Sequence, residues 1–143
     1  MGERSEDQRV VPTIPQTDQQ RAALRGGGGE QTQQFIVEAA RLLNDLHFQD
    51  VQVLDVRGLS DVTDYVLIAS GTSGRQISSV GSEVGKLAKT MGLDRYGLDE
   101  DEQSSWLVLD FVDVIVHLFD PAARAHYDLE MMWGDASQIN WQR

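Results

Sequence analysis

Tyr65-Val66-Leu67-Ile68-Ala69 runs without a polar residue and stops at Ser70-Gly71-Thr72-Ser73-Gly74. Beyond that stop, Ile77, Val80, Val84, Leu87, Ala88 and Met91 fall on one helical stripe. A short apolar run bounded by small residues reads as a central strand covered on both faces. Strand, Gly/Ser-rich junction and amphipathic helix together place the chain among α/β folds. Thr72 or Ser73 is suited to cap the helix, and Gly92 to end it. Gly81 and Gly85 lie near the apolar stripe. Each costs a helix roughly 1 kcal/mol relative to alanine, so close packing against the sheet is expected there.

Working outward, Phe35, Ile36, Ala39, Ala40, Leu42, Leu43 and Leu46 recur at spacings of three and four, and predict a helix from Gln31 to about His47. Val51–Val56 alternates and is β-branched, a strand. Asp99-Glu-Asp-Glu102 reads as an acidic loop. Trp106–Phe111 and Val114–Phe119 are two strands joined so closely that they form an antiparallel hairpin. Pro121 opens a last helix carrying Ala122, Ala125, Leu129, Met132 and Trp133, with Asp120 placed to cap it. The expected order is α-β-β-α-β-β-α: a mixed sheet of four to five strands flanked by helices. Residues 1–29 are rich in Gln, Arg and Pro and end in four glycines, the composition of a disordered tail with a flexible linker. The domain is then 30–136, with 137–143 as a C-terminal tail.

The chain has 143 residues, a net charge of −11 and no cysteine. Disulfides and thiolate metal sites are therefore excluded. Residues 1–29 balance four arginines against four acids, so the whole acidic excess falls in residues 30–143. Such a surface repels a phosphate backbone, and little direct nucleic-acid binding is expected. It attracts a basic protein, although net negative charge also serves solubility alone. No apolar run approaches the roughly 18 residues a membrane span needs. The N-terminus has neither the apolar stretch of a secretory signal nor the acid-poor composition of a transit peptide, so a cytoplasmic protein is expected.

Three features bear on chemistry. The Ser70–Gly74 junction could offer backbone N–H groups to a phosphate, but it is neither GxxxxGK[ST] nor GxGxxG. Asp61 and Asp64 share a loop, and Asp110 and Asp113 flank a turn; two-metal sites need clustered carboxylates, yet acids at turns more often bond nearby backbone. His117 lies mid-strand without a second histidine at ligand spacing, which favours a hydrogen-bonded, half-buried residue over a metal ligand or catalyst. No metal or cofactor is expected. In the hairpin, Trp106, Val108 and Asp110 share one face and Leu107, Leu109 and Phe111 the other, while Asp113, Ile115, His117 and Phe119 alternate on the next strand. Both faces are largely apolar. If the protein covers only one, the other is an interface; if helices cover both, it is core.

Asp55-Val-Arg-Gly-Leu-Ser-Asp-Val-Thr-Asp-Tyr65, Ile68-Ala-Ser-Gly-Thr-Ser73, Trp106-Leu-Val-Leu-Asp110 with Asp113-Val-Ile-Val-His117, and Ala123-Arg-Ala-His-Tyr-Asp-Leu-Glu130 with Trp133-Gly-Asp135 closely resemble the ribosomal silencing factor (RsfS, Iojap-like) family over residues 31 to 136. The resemblance implies a nucleotidyltransferase-like scaffold without working catalytic residues. It implies a non-enzymatic repressor of translation that binds the large ribosomal subunit through a basic ribosomal protein at the subunit interface, the fourteenth of the large-subunit series. Bound there, it blocks joining of the small subunit. The alternative is a nucleotidyltransferase-like or phosphate-binding enzyme using Gly71–Gly74 and nearby carboxylates. By family match, Trp106, Leu107, Val108, Asp110, Asp113, His117, Tyr127 and Glu130 form the partner-binding set, with Asp61, Thr63 and Asp64 mainly structural. Trp106→Ala or Asp110→Lys is then expected to weaken subunit binding and leave the fold intact. An exposed hairpin also makes a homodimer of the free protein compatible with this reading. The sequence departs from the family at Gly74, at His126 and at Val112, where glycine is common. A β-branched residue resists positive φ, so a differently built turn is expected there.

Overall fold

The computed structural model describes residues 29–60, 63–93, 97–100, 105–122 and 134–142. Along the chain run α1 (Gly29–Asp45), β1 (Gln49–Asp55), β2 (Tyr65–Ser70), α2 (Gly74–Thr90), β3 (Gly97–Glu100), β4 (Trp106–Asp110), β5 (Val114–Phe119) and β6 (Ser137–Gln138). The strands form one six-stranded sheet in the order β3-β4-β5-β2-β1-β6. β2 and β5 are parallel, and every other pair is antiparallel. All six residues of β2 are buried, as its unbroken apolar run requires of a strand inside the sheet.

Alternation sorts the strand residues into two layers. Val53, Tyr65, Leu67, Ala69, Leu107, Leu109, Val114, Val116 and Leu118 face α1 and α2, whose Phe35, Ile36, Ala39, Leu43, Ile77, Val80, Val84 and Ala88 complete the main core. Leu54, Val66, Ile68 and Phe119 form a smaller cluster on the opposite face, with Trp106 and Ala136 half-buried against it. The apolar stripe of α2 lies close to the sheet at Gly81. A Cβ on Gly81 would stand 2.4 Å from Leu107 Cδ2, so a methyl group there would displace a packed core side chain. This close approach is what the glycine permits. Ser73 caps α2 by accepting the Gln76 N–H, and Gly92, at φ 83°, ends it with Leu93 N–H reaching back to Ala88 O.

Two readings are corrected. The sheet has six strands, not four to five. Asp99 and Glu100, read as loop, lie in β3, which pairs with β4 from Gly97↔Asp110 to Glu100↔Leu107. Their acidic side chains have low strand propensity, and pairing to an apolar neighbour overrides it. Glu100 is further held to α2, where the Ser78 hydroxyl donates to its carboxylate. β6 follows from the segment read as a C-terminal tail. Ser137 and Gln138 pair with Asp55 and Leu54, Ile139 N–H donates to Val53 O at 2.8 Å, and Trp141 Nε1–H donates to Val51 O at 3.3 Å. Arg41 Nε–H fastens the segment to α1 through Trp141 O at 2.7 Å. Of the last predicted helix, only residues 121 and 122, both helical, are described; the rest lies outside the described residues.

The strap of residues 137–142 covers the edge of β1, and Ile139 and Trp141 pack onto the main core. Trp141→Ala is expected to lower stability by about 2 kcal/mol, less than for a fully buried tryptophan because the ring is half-exposed. Urea unfolding of the variant against the parent checks it; an unchanged midpoint would mean that the strap contributes nothing.

Candidate partner-binding face

The hairpin sets the geometry of the site. Its register pairs Trp106 with Phe119, Val108 with His117 and Asp110 with Ile115. β3 places Asp99 beside Val108, and β2 places Ile68 beside His117. One face of the sheet thus carries the row Asp99–Val108–His117–Ile68, with Trp106 and Phe119 in the next row. Trp106, Val108, Ile115, His117 and Asp99 are half-buried, whereas Phe119 is fully buried. The helices α1 and α2 lie on the other face, and among the described residues no helix covers this one.

Three rings form a layer here. Trp106 and Phe119 have centroids 5.4 Å apart at an interplanar angle of 14°, and Trp106 and His117 are 6.1 Å apart at 21°. His117 and Phe119 are 6.0 Å apart at 7°. The Trp106 Nε1–H donates to His117 Nδ1 at 3.2 Å. Desolvation pushes the His117 imidazole down to about pKa 4, although the nearby Asp110 carboxylate opposes the shift. His117 is therefore neutral at physiological pH, and the half-buried, hydrogen-bonded reading of it holds.

The expected site residues separate. Trp106, Val108 and His117 line this half-buried face. Leu107 does not: it is 1% exposed, on the helix side beneath Gly81. Period-two alternation makes that placement unavoidable once Trp106 faces the other way. Asp110 is 2% exposed, and its Oδ1 accepts the Val112 N–H at 2.8 Å. Burying a lysine there would break that bond and strand a charge, so the expectation that Asp110→Lys spares the fold is corrected. Asp113 is buried at 9% exposure, and its carbonyl accepts both Asp64 N–H and Tyr65 N–H at 3.1 Å, tying the turn to β2. Tyr127 and Glu130 lie outside the described residues, as does Asp61. Asp99 and Ile115 are additions. Ile115 was legible from alternation, whereas Asp99 joins the face only because β3 exists.

Val112 takes φ 71°, so the turn keeps the left-handed backbone that glycine would adopt, and the expected rebuilding does not occur. The strain, about 1–2 kcal/mol for such a residue, is opposed by the Val112 N–H bond to Asp110 and by burial of its side chain.

Two N–H groups of the phosphate-like junction are used within the protein. Gly71 N–H donates to Phe119 O at 2.7 Å. Thr72 N–H donates to Gln76 Oε1 at 2.6 Å, and Gln76 N–H to Ser73 Oγ at 3.2 Å. A Cβ on Gly71 would meet Gln76, Ile77 and Phe48 at 2.9 Å, so packing accounts for this glycine. Thr63 is buried, and its N–H donates to Ser60 Oγ at 3.3 Å. Asp55 accepts two bonds from the Arg57 guanidinium, at 2.9 and 2.7 Å, which hold its carboxyl below the usual range. Among the described residues no three His, Asp or Glu side chains come together as a metal site. Among them, too, no helix is long and apolar enough to cross a membrane.

The class is a small α/β domain with one helix-covered sheet face and an opposite face that carries a half-buried aromatic layer on the β4–β5 hairpin. The family model described as "Ribosomal silencing factor during starvation" matches residues 29–143. The ribosomal silencing factor RsfS of Halalkalibacterium halodurans is 34% identical over 107 residues, covering 75% of this chain and 92% of that protein. A mouse protein named "Mitochondrial assembly of ribosomal large subunit protein 1" is 34% identical over 98 residues, 64% of this chain and 42% of that protein. The crystal structure of a Chromobacterium violaceum protein superposes with a TM-score of 0.65 at 32% identity, covering 74% of this chain and 85% of that one. This chain belongs to the ribosomal silencing factor family, whose name denotes a regulatory role on the ribosome rather than a catalytic one.

Proposed function

We propose that this protein binds the large ribosomal subunit through a basic ribosomal protein, the fourteenth of the large-subunit series, at the face where the subunits join, and so blocks entry of the small subunit and represses translation. The observation that carries the reading is the half-buried Trp106–Val108–His117 face on a chain of net charge −11. Aromatic residues are enriched at the centres of protein interfaces, and negative charge steers a basic partner onto them. The printed name of the mouse relative, which refers to the large subunit, supports that choice of subunit. The same aromatic face also supports self-association of the free protein, in competition with ribosome binding.

The test is sedimentation of the purified protein with isolated large subunits, followed by an assay of subunit joining. Co-migration and inhibited joining are expected, both weakened by salt. Trp106→Ala is expected to reduce subunit affinity by about ten- to a hundredfold, the range of an interface hot spot, and to lower stability by about 2 kcal/mol as for Trp141, with cooperative melting showing that the variant stays folded. Protein that stays in the supernatant at low salt while joining proceeds normally would overturn the proposal.

A further inference from the structure

We propose that His117 serves recognition as a positioning residue: it holds the Trp106 indole flat against the sheet and acts on the partner through that tryptophan. This rests on the reading of the Trp106 face as the partner-binding surface. An indole has one N–H donor and no acceptor, so its bond to His117 uses the lone pair of Nδ1 and leaves the imidazole proton on Nε2. The bond therefore fixes both the histidine tautomer and the indole orientation.

The surroundings reinforce it. Trp106 and His117 are diagonal neighbours across the hairpin, since each is directly paired with another residue. The near-parallel rings of Trp106, His117 and Phe119 give the indole plane two stacking contacts beside the hydrogen bond among the described residues. Phe119 is fully buried and cannot itself meet a partner, so it supports the layer from within. Trp106 is half-buried on a face no described helix covers. Without the bond, the exposed part of its ring regains rotamer freedom, and binding must then order it again. The same geometry assigns His117 no proton-transfer role, because its free lone pair is already committed to the indole.

Two variants separate the roles. In His117→Asn the amide oxygen offers an acceptor where Nδ1 stood, and in His117→Ala none remains. The function-independent readout is the Trp106 indole N–H signal in a nitrogen-15 spectrum, assigned by its loss in Trp106→Phe, with its rate of hydrogen exchange. Slow exchange is expected in the parent and in His117→Asn, and fast exchange in His117→Ala. Large-subunit affinity should follow: His117→Asn close to the parent, and His117→Ala weaker by about three- to tenfold, with cooperative melting showing that both remain folded. Parent-like affinity in His117→Ala would overturn the proposal. So would weak binding by His117→Asn with its indole N–H still protected, which would make His117 itself the contact. If the parent does not bind subunits at all, the silencing reading falls, while the exchange rates alone still decide whether His117 orients Trp106.

Discussion

Leu107→Ala is expected to lower the unfolding free energy by about 3 kcal/mol and to leave the affinity of the folded protein for large subunits unchanged. Leu107 is 1% exposed. It stands opposite Leu118 and directly below Gly81. Truncation removes its transfer free energy and opens a cavity between β4 and α2. That space cannot close easily, since the helix and sheet backbones already approach as nearly as the glycine allows. The cost therefore falls in the middle of the range for buried leucines. A second substitution sharpens the test. Gly81→Ala alone drives a methyl group into Leu107, but in the Leu107→Ala background it fills part of the void. The two changes should couple, with the double variant more stable than Leu107→Ala alone. Urea midpoints measure both effects. If Leu107→Ala keeps its stability and loses ribosome binding, the residue is a contact and the orientation of the hairpin is misassigned.

Acid should weaken the domain through His117. Its folded pKa is about 4 against an ordinary 6.5, so between those values the unfolded chain binds a proton that the folded protein refuses. Stability from this residue is complete above the unfolded value and falls as pH drops towards 4. Below that it changes no further. The full loss amounts to about 3 kcal/mol. The main cause is desolvation, and the Trp106 N–H pointing at Nδ1 adds to it, because a protonated imidazole would set donor against donor. Asp55, held low by Arg57, adds a smaller loss at more acidic pH. Urea midpoints recorded from about pH 7 down to about pH 4 should fall steeply in the parent. His117→Asn, which cannot titrate, should remove most of the slope above pH 4.5 or so. An equal slope in that variant would show that other groups govern the acid response.

These two experiments probe neighbouring strand positions and expect unrelated outcomes, which shows where the sequence stops informing. Trp106 and Leu107 are both large and apolar, and both belong to the block that carries the family resemblance. Alternation states that they face opposite ways but not which way is inward. Asp110 shows the same limit from the polar side. Beside a turn it reads as an exposed contact, yet the Val112 backbone, left-handed despite its β-branched side chain, turns an N–H towards it and closes it in. β3 escaped notice because its Asp99 and Glu100 carry no strand preference of their own, and β6 because two residues are too few to show a period.

By itself the sequence determined what depends on near neighbours: α1 and α2 from their apolar period, β2 from its unbroken run, the β4–β5 hairpin from its short link, a cap at Thr72 or Ser73 and the Gly92 stop. It also determined the family, through motif blocks in order. Only the tertiary structure decided that both described helices dock on the Leu107 side of the sheet, with Trp106, Val108 and His117 half-buried on the other. It alone decided that the Gly71 and Thr72 N–H groups after β2 turn onto Phe119 and Gln76. The physical reason is one of range. Helical and strand periods are local, whereas the face that becomes core is chosen by where distant elements bury the most apolar surface.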